Sequence, residues 1–236
     1  GQREKFTLTE ELSVKIRQLA QQQNTTVHNV LLCSLAILLS KYTNQQDIVI
    51  GSPIANRHHQ QTEDLIGFFV NMQVHRFILD DHQSFAQLVQ VAHQDQITAQ
   101  QYQDLPFEKL VDELGVERDQ SRHPIFQVMF SCITRPDMAG ENLPFSSTSV
   151  NGLFEVVKID SSFTIVDVGH GQLIGEVAYL KALFMKTTIR RLFQHFCHLL
   201  ERLVMHPTDD YRRLSVLTQE EFDDLVLKSN CTDSSF

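Results

Sequence analysis

The segment from Val27 to Tyr42 (VHNVLLCSLAILLSKY) restricts the fold more than any other part of the chain. It is apolar on nearly every side and follows Thr25 and Thr26, whose hydroxyls suit a helix start, so it reads as a helix buried all round. A helix without a polar face belongs at the centre of a core, with other elements packed about it. The 236 residues suffice for such a core. A chain of this size buries roughly 70 to 75% of its unfolded surface and needs no disulfide or metal staple.

The surrounding elements follow from periodicity and punctuation. Thr9, Glu10 and Glu11 open a first helix with Leu12, Ile16 and Leu19 on one face. Asp47 to Gly51 reads as a strand, and Ile66 to Leu79 as a longer one, with a polar loop from Ala55 to Asp64 between them. Ser84 starts a Gln-rich helix ending near Tyr102, with Phe85, Leu88, Val89 and Ala92 on one side. Pro106 stands in the first turn of a further helix, with Asp104 or Leu105 near its cap and Gly115 closing it. Ile125 to Ile133 reads as a strand. Two more, around Val156 to Val168 and Leu173 to Leu180, flank the hairpin signal Gly169-His170-Gly171. Thr187 opens a last long helix to about Met205, striped by Ile189, Phe193, Phe196, Leu199, Leu200 and Leu203. Thr218-Gln219-Glu220-Glu221 is a capping box before a short amphipathic helix, Phe222 to Leu227, with the character of a linker. Helices and strands are interspersed, which argues for an α/β sandwich over a bundle or an all-β barrel.

Composition removes several function classes. The 20 Lys and Arg against 29 Asp and Glu leave a formal charge of -9, which argues against binding along a nucleic-acid backbone. No apolar run approaches the roughly 18 to 20 residues that span a bilayer, and Gly1-Gln2-Arg3-Glu4-Lys5 opens no signal peptide. Cys33, Cys132 and Cys197 sit in apolar runs and read as small buried hydrophobes, Cys231 stands apart, and the set suits a reducing cytoplasm. The chain begins without Met and trails off in polar residues, so it is expected to be a piece of a longer protein.

Chemistry-bearing clusters are sparse. His58-His59 with Glu63 and Asp64 invites an acid-base or metal reading, but no third ligand is fixed by spacing and a solvated polar loop is the better account. Turn glycines explain Gly169-His170-Gly171. Asp104 with Glu108 at a helix start is better read as capping and dipole stabilisation than as a carboxylate pair. Arg118-Asp119-Gln120-Ser121-Arg122-His123-Pro124 suits a turn pinned by Arg to carboxylate bonds. The sequence contains no GxSxG elbow, P-loop, GxGxxG or HExxH.

Four segments together resemble a known family. Asp47-Ile48-Val49-Ile50-Gly51-Ser52-Pro53-Ile54-Ala55-Asn56-Arg57, then Ile66-Gly67-Phe68-Phe69-Val70-Asn71 with Arg76, then Gln103-Asp104-Leu105-Pro106-Phe107-Glu108, then Arg118 to Pro124 are similar, in order and spacing, to motifs of condensation domains of nonribosomal peptide synthetases. The likeness runs from about Phe6 to Pro207, includes Tyr179 and Leu183-Phe184, and continues from Leu217 to Thr232 as the linker towards an adenylation domain. It departs from the family's usual residues at Tyr102, Met72 and Ile133-Thr134.

The resemblance implies a chloramphenicol acetyltransferase-like two-layer α/β sandwich, one lobe of a V-shaped domain. In that domain, thioesters on phosphopantetheine arms enter a tunnel from opposite faces and an amide bond forms. The family's catalytic motif, HHxxxDG, is absent. His58-His59 mimics its opening, but Glu63 and Asp64 stand where Asp and Gly belong, so no catalytic residue is assigned.

The resemblance further implies that residues 1–207 are the C-terminal lobe and 208–236 the linker. Ser52, Pro53, Asn56 and Arg57 would lie in the tunnel floor, and residues after Ile133 would cross to the partner lobe. Gly67, Asn71, Arg76, Asp104, Pro106, Phe107, Arg118, Asp119, Arg122 and Pro124 would serve as structural pins. No metal and no resident cofactor is expected, because phosphopantetheine would arrive on carrier domains. The implied partners are an N-terminal lobe, peptidyl carrier domains and an adenylation domain, with no nucleic acid and no membrane, and an isolated lobe is expected to self-associate. A noncatalytic docking module, or a lobe of an epimerization or heterocyclization domain, are the other readings.

Overall fold

A computed structural model describes residues 1–57, 60–79, 84–116, 119, 122–134 and 157–228. Six strands form one sheet: β1 (Gln2–Thr7), β2 (Asp47–Ile54), β3 (Asn71–Ile78), β4 (Val128–Thr134), β5 (Ser161–Asp167) and β6 (Ile174–Tyr179). Their spatial order is β1-β6-β5-β4-β2-β3, with β4 parallel to both β2 and β5 and the other pairs antiparallel. The helices are α1 (Glu10–Gln22), α2 (Val27–Thr43), the short α3 (Gln60–Glu63), α4 (Phe85–Gln100), α5 (Phe107–Glu113), α6 (Lys186–Met205) and α7 (Gln219–Phe222), which runs on as a π-helical turn, Asp223–Lys228.

The apolar helix α2 lies at the centre of the main core, with Val30, Leu31, Leu35 and Leu38 inaccessible to solvent. It packs against α1, α4, α6 and β2. Strand alternation sends Ile48, Ile50, Phe77, Phe130, Phe163, Ile165, Val177 and Tyr179 into this helical layer. Their neighbours Val49, Met72, Val74 and Met129 point to the opposite face, where they meet α5 in a second, smaller cluster around Phe107, Val111, Phe126 and Ile159. The Gly169 and Gly171 turn takes positive φ angles of 85° and 61°, and Arg17 of α1 pins it by donating to Asp167 (2.8 Å) and to the Gly171 carbonyl (3.0 Å). That turn is structural.

Several boundaries differ from those expected. The alternating polar residues Gln2 to Thr7 form β1, held by β6 and by Glu4 receiving Lys186 and Arg190, contacts no local pattern announces. The strand expected from Ile66 starts at Asn71, because Arg57 takes the carbonyls of Thr62, Leu65 (2.9 Å) and Gly67 (3.4 Å) and holds residues 62–67 out of the sheet. The strand expected to end at Gly51 continues to Ile54 through Pro53; β2 meets β4 only around Gly51 and Met129, so the missing N–H of Pro53 disturbs no ladder on that side. The strand expected from Ile125 starts at Val128, because Ile125 adopts φ 70°, a left-handed conformation rare for a β-branched residue. The cap position of α5 is Pro106, neither Asp104 nor Leu105.

The stretch after Pro207, expected to have linker character, begins with core residues. Tyr211 and Leu214 are buried, and the Tyr211 hydroxyl donates to the Leu79 carbonyl.

Candidate functional site

At the start of β3, the side chain of Asn71 ties three segments together. Its Nδ2 donates to the carbonyls of Gln103 (2.9 Å) and Leu105 (2.8 Å), and its Oδ1 accepts from the Phe107 amide (3.2 Å) and from the Met72 amide (2.9 Å). Pro106 offers α5 no side-chain cap, so Asn71 supplies one from a different strand. Phe107 is thereby fixed against His123 and Phe126, with ring centroids 5.3 and 5.6 Å apart.

Phe126 in turn lies against the bare backbone of Gly51. A Cβ at Gly51 would collide with the Phe126 ring, which explains why glycine stands in that strand. The positive φ of Ile125 delivers Phe126 to this position. The Pro124 carbonyl can only accept, so the 2.9 Å contact fixes the proton of His123 on Nδ1. Gln127 Nε2 donates to the His123 carbonyl at 3.1 Å.

These contacts border a cavity of about 400 Å³ lined by Asn56, Phe69, Asn71, Asp104, Phe107 and His123, among others. Arg57 closes one side, its guanidinium 4.3 Å from the centroid of the Phe69 ring. A smaller cavity of about 240 Å³ lies beyond Asn71, between β3 and Tyr102, Leu105 and Leu110. Beside them Ile66, Phe68, Val70 and Tyr102 are exposed, Phe68 to 91%.

The chemistry available here is positioning. His123 is the imidazole on the large cavity, and its Nδ1 is already engaged. Asp104 and Glu108 stand near the start of α5, where negative charge suits the free N–H groups. Among the described residues no group of three or more His, Cys, Asp or Glu is placed to hold a metal ion. Cys33, Cys132 and Cys197 are free, and burial raises all three thiols, Cys132 to about 12 and Cys197 to about 11, so none is an activated nucleophile.

The residues singled out in the sequence are not all brought together. Asn56, Asn71, Asp104, Pro106 and Phe107 line the large cavity, and Arg57 and Gly67 shape its flank. Pro53 lies in β2, paired with Met72. Ser52 is buried on the helical side of β2, away from the cavity. Arg76 lies at the far end of β3, in an exposed bidentate pair with Asp47 whose carboxyl it holds below its usual range. The Asp119 carbonyl accepts from the Arg122 amide at 3.2 Å. The Arg122 side chain is exposed. Pro124 is half-buried beside Phe126. His58, His59 and Arg118 lie outside the described residues, as does the crossing segment expected after Ile133 from residue 135 to 156.

Two further histidines escaped the sequence reading. His28, in the first turn of α2, and His75 of β3 have ring centroids 6.1 Å apart. Burial alone lowers His28 to about 4, and burial together with the neighbouring His28 lowers His75 to about 3. Among the described residues, the Nε2 atoms of both rings, Ser52 Oγ and Gln73 Nε2 are buried without a hydrogen-bond partner. The signal was available in outline, since His75 shares a strand face with the apolar Phe77.

Comparison with known proteins places this arrangement. The family model for the condensation domain matches residues 1–226. One linear gramicidin synthase of Brevibacillus parabrevis is 37% identical over 233 residues, covering 97% of this chain and 4% of that protein. Surfactin synthase subunit 1 of Bacillus subtilis is 35% identical over 223 residues, covering 94% of this chain and 6% of that protein. The chain therefore spans a small fraction of the length of these relatives. Among solved structures, a four-domain nonribosomal peptide synthetase bound to AMP and glycine superposes with a TM-score of 0.82 at 22% identity, over 93% of this chain and 18% of the other. The X-domain from teicoplanin biosynthesis gives 0.80 at 23% identity, over 92% of this chain and 50% of the other. The shared architecture is the chloramphenicol acetyltransferase-like α/β sandwich expected from the motifs.

Proposed function

Because the chain belongs to the condensation-domain family of nonribosomal peptide synthetases, we propose that residues 1–207 are the C-terminal lobe of such a domain and that 208–236 lead towards an adenylation domain. The observation that supports this most is length: the chain accounts for 50% of the teicoplanin X-domain and 48% of the condensation domain of a Monacolin K polyketide synthase. The motif residues gathered around Asn71 belong to this half, and HHxxxDG would come from the other.

In the reaction, the amine of one carrier-bound aminoacyl group attacks the thioester carbonyl of another. The C–N bond forms, the C–S bond breaks, the amine loses a proton and the released thiolate gains one. Thioester aminolysis runs downhill, so the catalyst has to align two tethered reactants and manage that proton. Alignment supplies on the order of 7 to 11 kcal/mol in the most favourable intramolecular cases.

The part of this chain is alignment. Asn71 fixes the 103–107 loop, Phe107 and Phe126 brace β2 against it, and Arg57 holds the 62–67 loop at the mouth of the cavity. The proton would be managed by the partner lobe. Phosphopantetheine, presented by peptidyl carrier domains, supplies the thioester linkage and the reach to bring it to the site.

The likeness to an X-domain solved in complex with OxyB favours one second reading, a noncatalytic module that docks another protein. Supplying this chain with a lobe that carries HHxxxDG and two loaded carrier domains separates the two. Amide-linked product on the downstream carrier supports the first reading. Formation of the two-lobe complex without product supports the second.

A further inference from the structure

Residues 218–228 are fastened differently from the residues just before them. From Tyr211 to Val216 the chain is part of the main core: Tyr211 bonds to Leu79, the ammonium of Lys41 donates to the Arg212 carbonyl at 3.1 Å, and Val216 packs on the helical layer. Beyond Val216 the chain turns into α7 and the π-helical turn, where Phe222 and Leu225 are exposed.

Glu221 carries the contact of this segment to the buried layer. One carboxylate oxygen accepts from the Thr218 amide and hydroxyl, both at 3.0 Å, completing a capping box. The same carboxylate lies 2.8 and 2.9 Å from Nε2 of His195, and Nδ1 of His195 lies 2.6 Å from the Tyr42 hydroxyl. The carboxylate only accepts, so Nε2 carries a proton, and a neutral ring then accepts the Tyr42 proton at Nδ1.

Every hydrogen-bonding position of His195 is thereby used, although the residue is 5% exposed within the apolar stripe of α6. Without Glu221, Nε2–H would be left without its acceptor. The other groups acting on this site are Arg191, on the Tyr42 hydroxyl, and His198, both from α6.

We propose that Tyr42 and His195 form a receptor for the Glu221 carboxylate, and that residues 218–228 are a detachable strap held on the helical layer through it. The strap fixes where a following domain of a longer protein begins, a consequence that rests on the reading of the chain as a lobe with its linker. The receptor itself does not depend on that reading.

Amide hydrogen exchange on the full chain tests it, using His195→Ala, Tyr42→Phe and Thr218→Ala. In His195→Ala, exchange across 219–228 should accelerate at least tenfold while α2 and α6 keep their protection. Tyr42→Phe, which keeps the ring, should accelerate the same amides several-fold. Thr218→Ala, which weakens the cap but leaves the receptor, should do less than His195→Ala. The proposal is overturned if 219–228 exchange at the parent rate in both receptor variants. It is overturned equally if α2 and α6 lose protection as much as the strap, or if Thr218→Ala matches His195→Ala. No substrate or partner lobe enters the measurement, so its failure leaves the proposed function standing, and the reverse holds.

Discussion

The two faces of the sheet are built to different ends. On one, α1, α2, α4 and α6 cover Phe130, Phe163, Ile165 and Val177 so fully that none exceeds 2% exposure. On the other, α5 and Phe126 cover the β2–β3 side, while Ser131, Ser162, Thr164, Val166, Glu176 and Ala178 remain half-exposed across β4, β5 and β6. Apart from Val166, residues of the second set are small or polar, unlike the Phe, Ile and Val that alternate with them. One face carries the main core. The other carries the smaller cluster around α5 and is half-exposed across β4, β5 and β6 among the described residues.

This contrast can be broken by substitution. Leu35→Ala, at the centre of α2, should cost about 3 to 5 kcal/mol in chemical denaturation, whereas Val166→Ala on the open face should cost well under half of that. Equal losses would mean that the two faces contribute alike.

Acid should attack the helix-covered face first. His28 and His75 have folded pKa values of about 4 and about 3, below the ordinary 6.5. Protonation therefore favours the unfolded chain, and the stability the neutral rings contribute is present above pH 6.5 and lost as pH falls towards 4. Two such groups give a slope approaching about 2.7 kcal/mol per pH unit. Denaturant midpoints measured from about pH 7 to about pH 5 should fall steeply, and His75→Leu should flatten the curve. A flat profile in the parent would show that these rings are protonated or solvated in the folded chain.

Asn71→Ala should cost roughly 2 kcal/mol, because it strips two carbonyls and the α5 amide of their partner. Its larger effect should fall on product formation in the two-lobe assay, since the 103–107 loop loses its position. Asn71→Asp keeps the acceptor for α5 and loses the donor to the loop, so it should restore stability more than activity. If both variants retain full activity, the Asn71 hub does not shape the site. Arg122→Ala marks the small end, within about 0.5 kcal/mol, since its side chain is exposed.

What could be read from the sequence was what local chemistry decides. The N-caps Thr9, Thr26 and Ser84, the box at Thr218, the turn at Gly169 to Gly171 and the apolar span of α2 each carry their own signal within a few residues. What escaped is decided by distant partners. Gln2 to Thr7 looks polar until Lys186 and Arg190 meet Glu4, and residues 66–70 look strand-like until Arg57 takes their neighbours' carbonyls. The motifs named Asn71, but only the fold shows its amide capping a helix from 36 residues away. Ser52, from the motif before it, is turned to the helices by strand alternation, away from the cavity.

The half-exposed sheet face should also drive the chain to associate, which light scattering at high concentration would register as a rising apparent mass. The most direct test of the account is reconstitution. With loaded donor and acceptor carriers, this chain together with a lobe bearing HHxxxDG should yield amide-linked product detectable by mass spectrometry on the acceptor arm, and neither half should do so alone. Product from this chain by itself, or an equal yield from the other lobe without it, would contradict the division of labour proposed here.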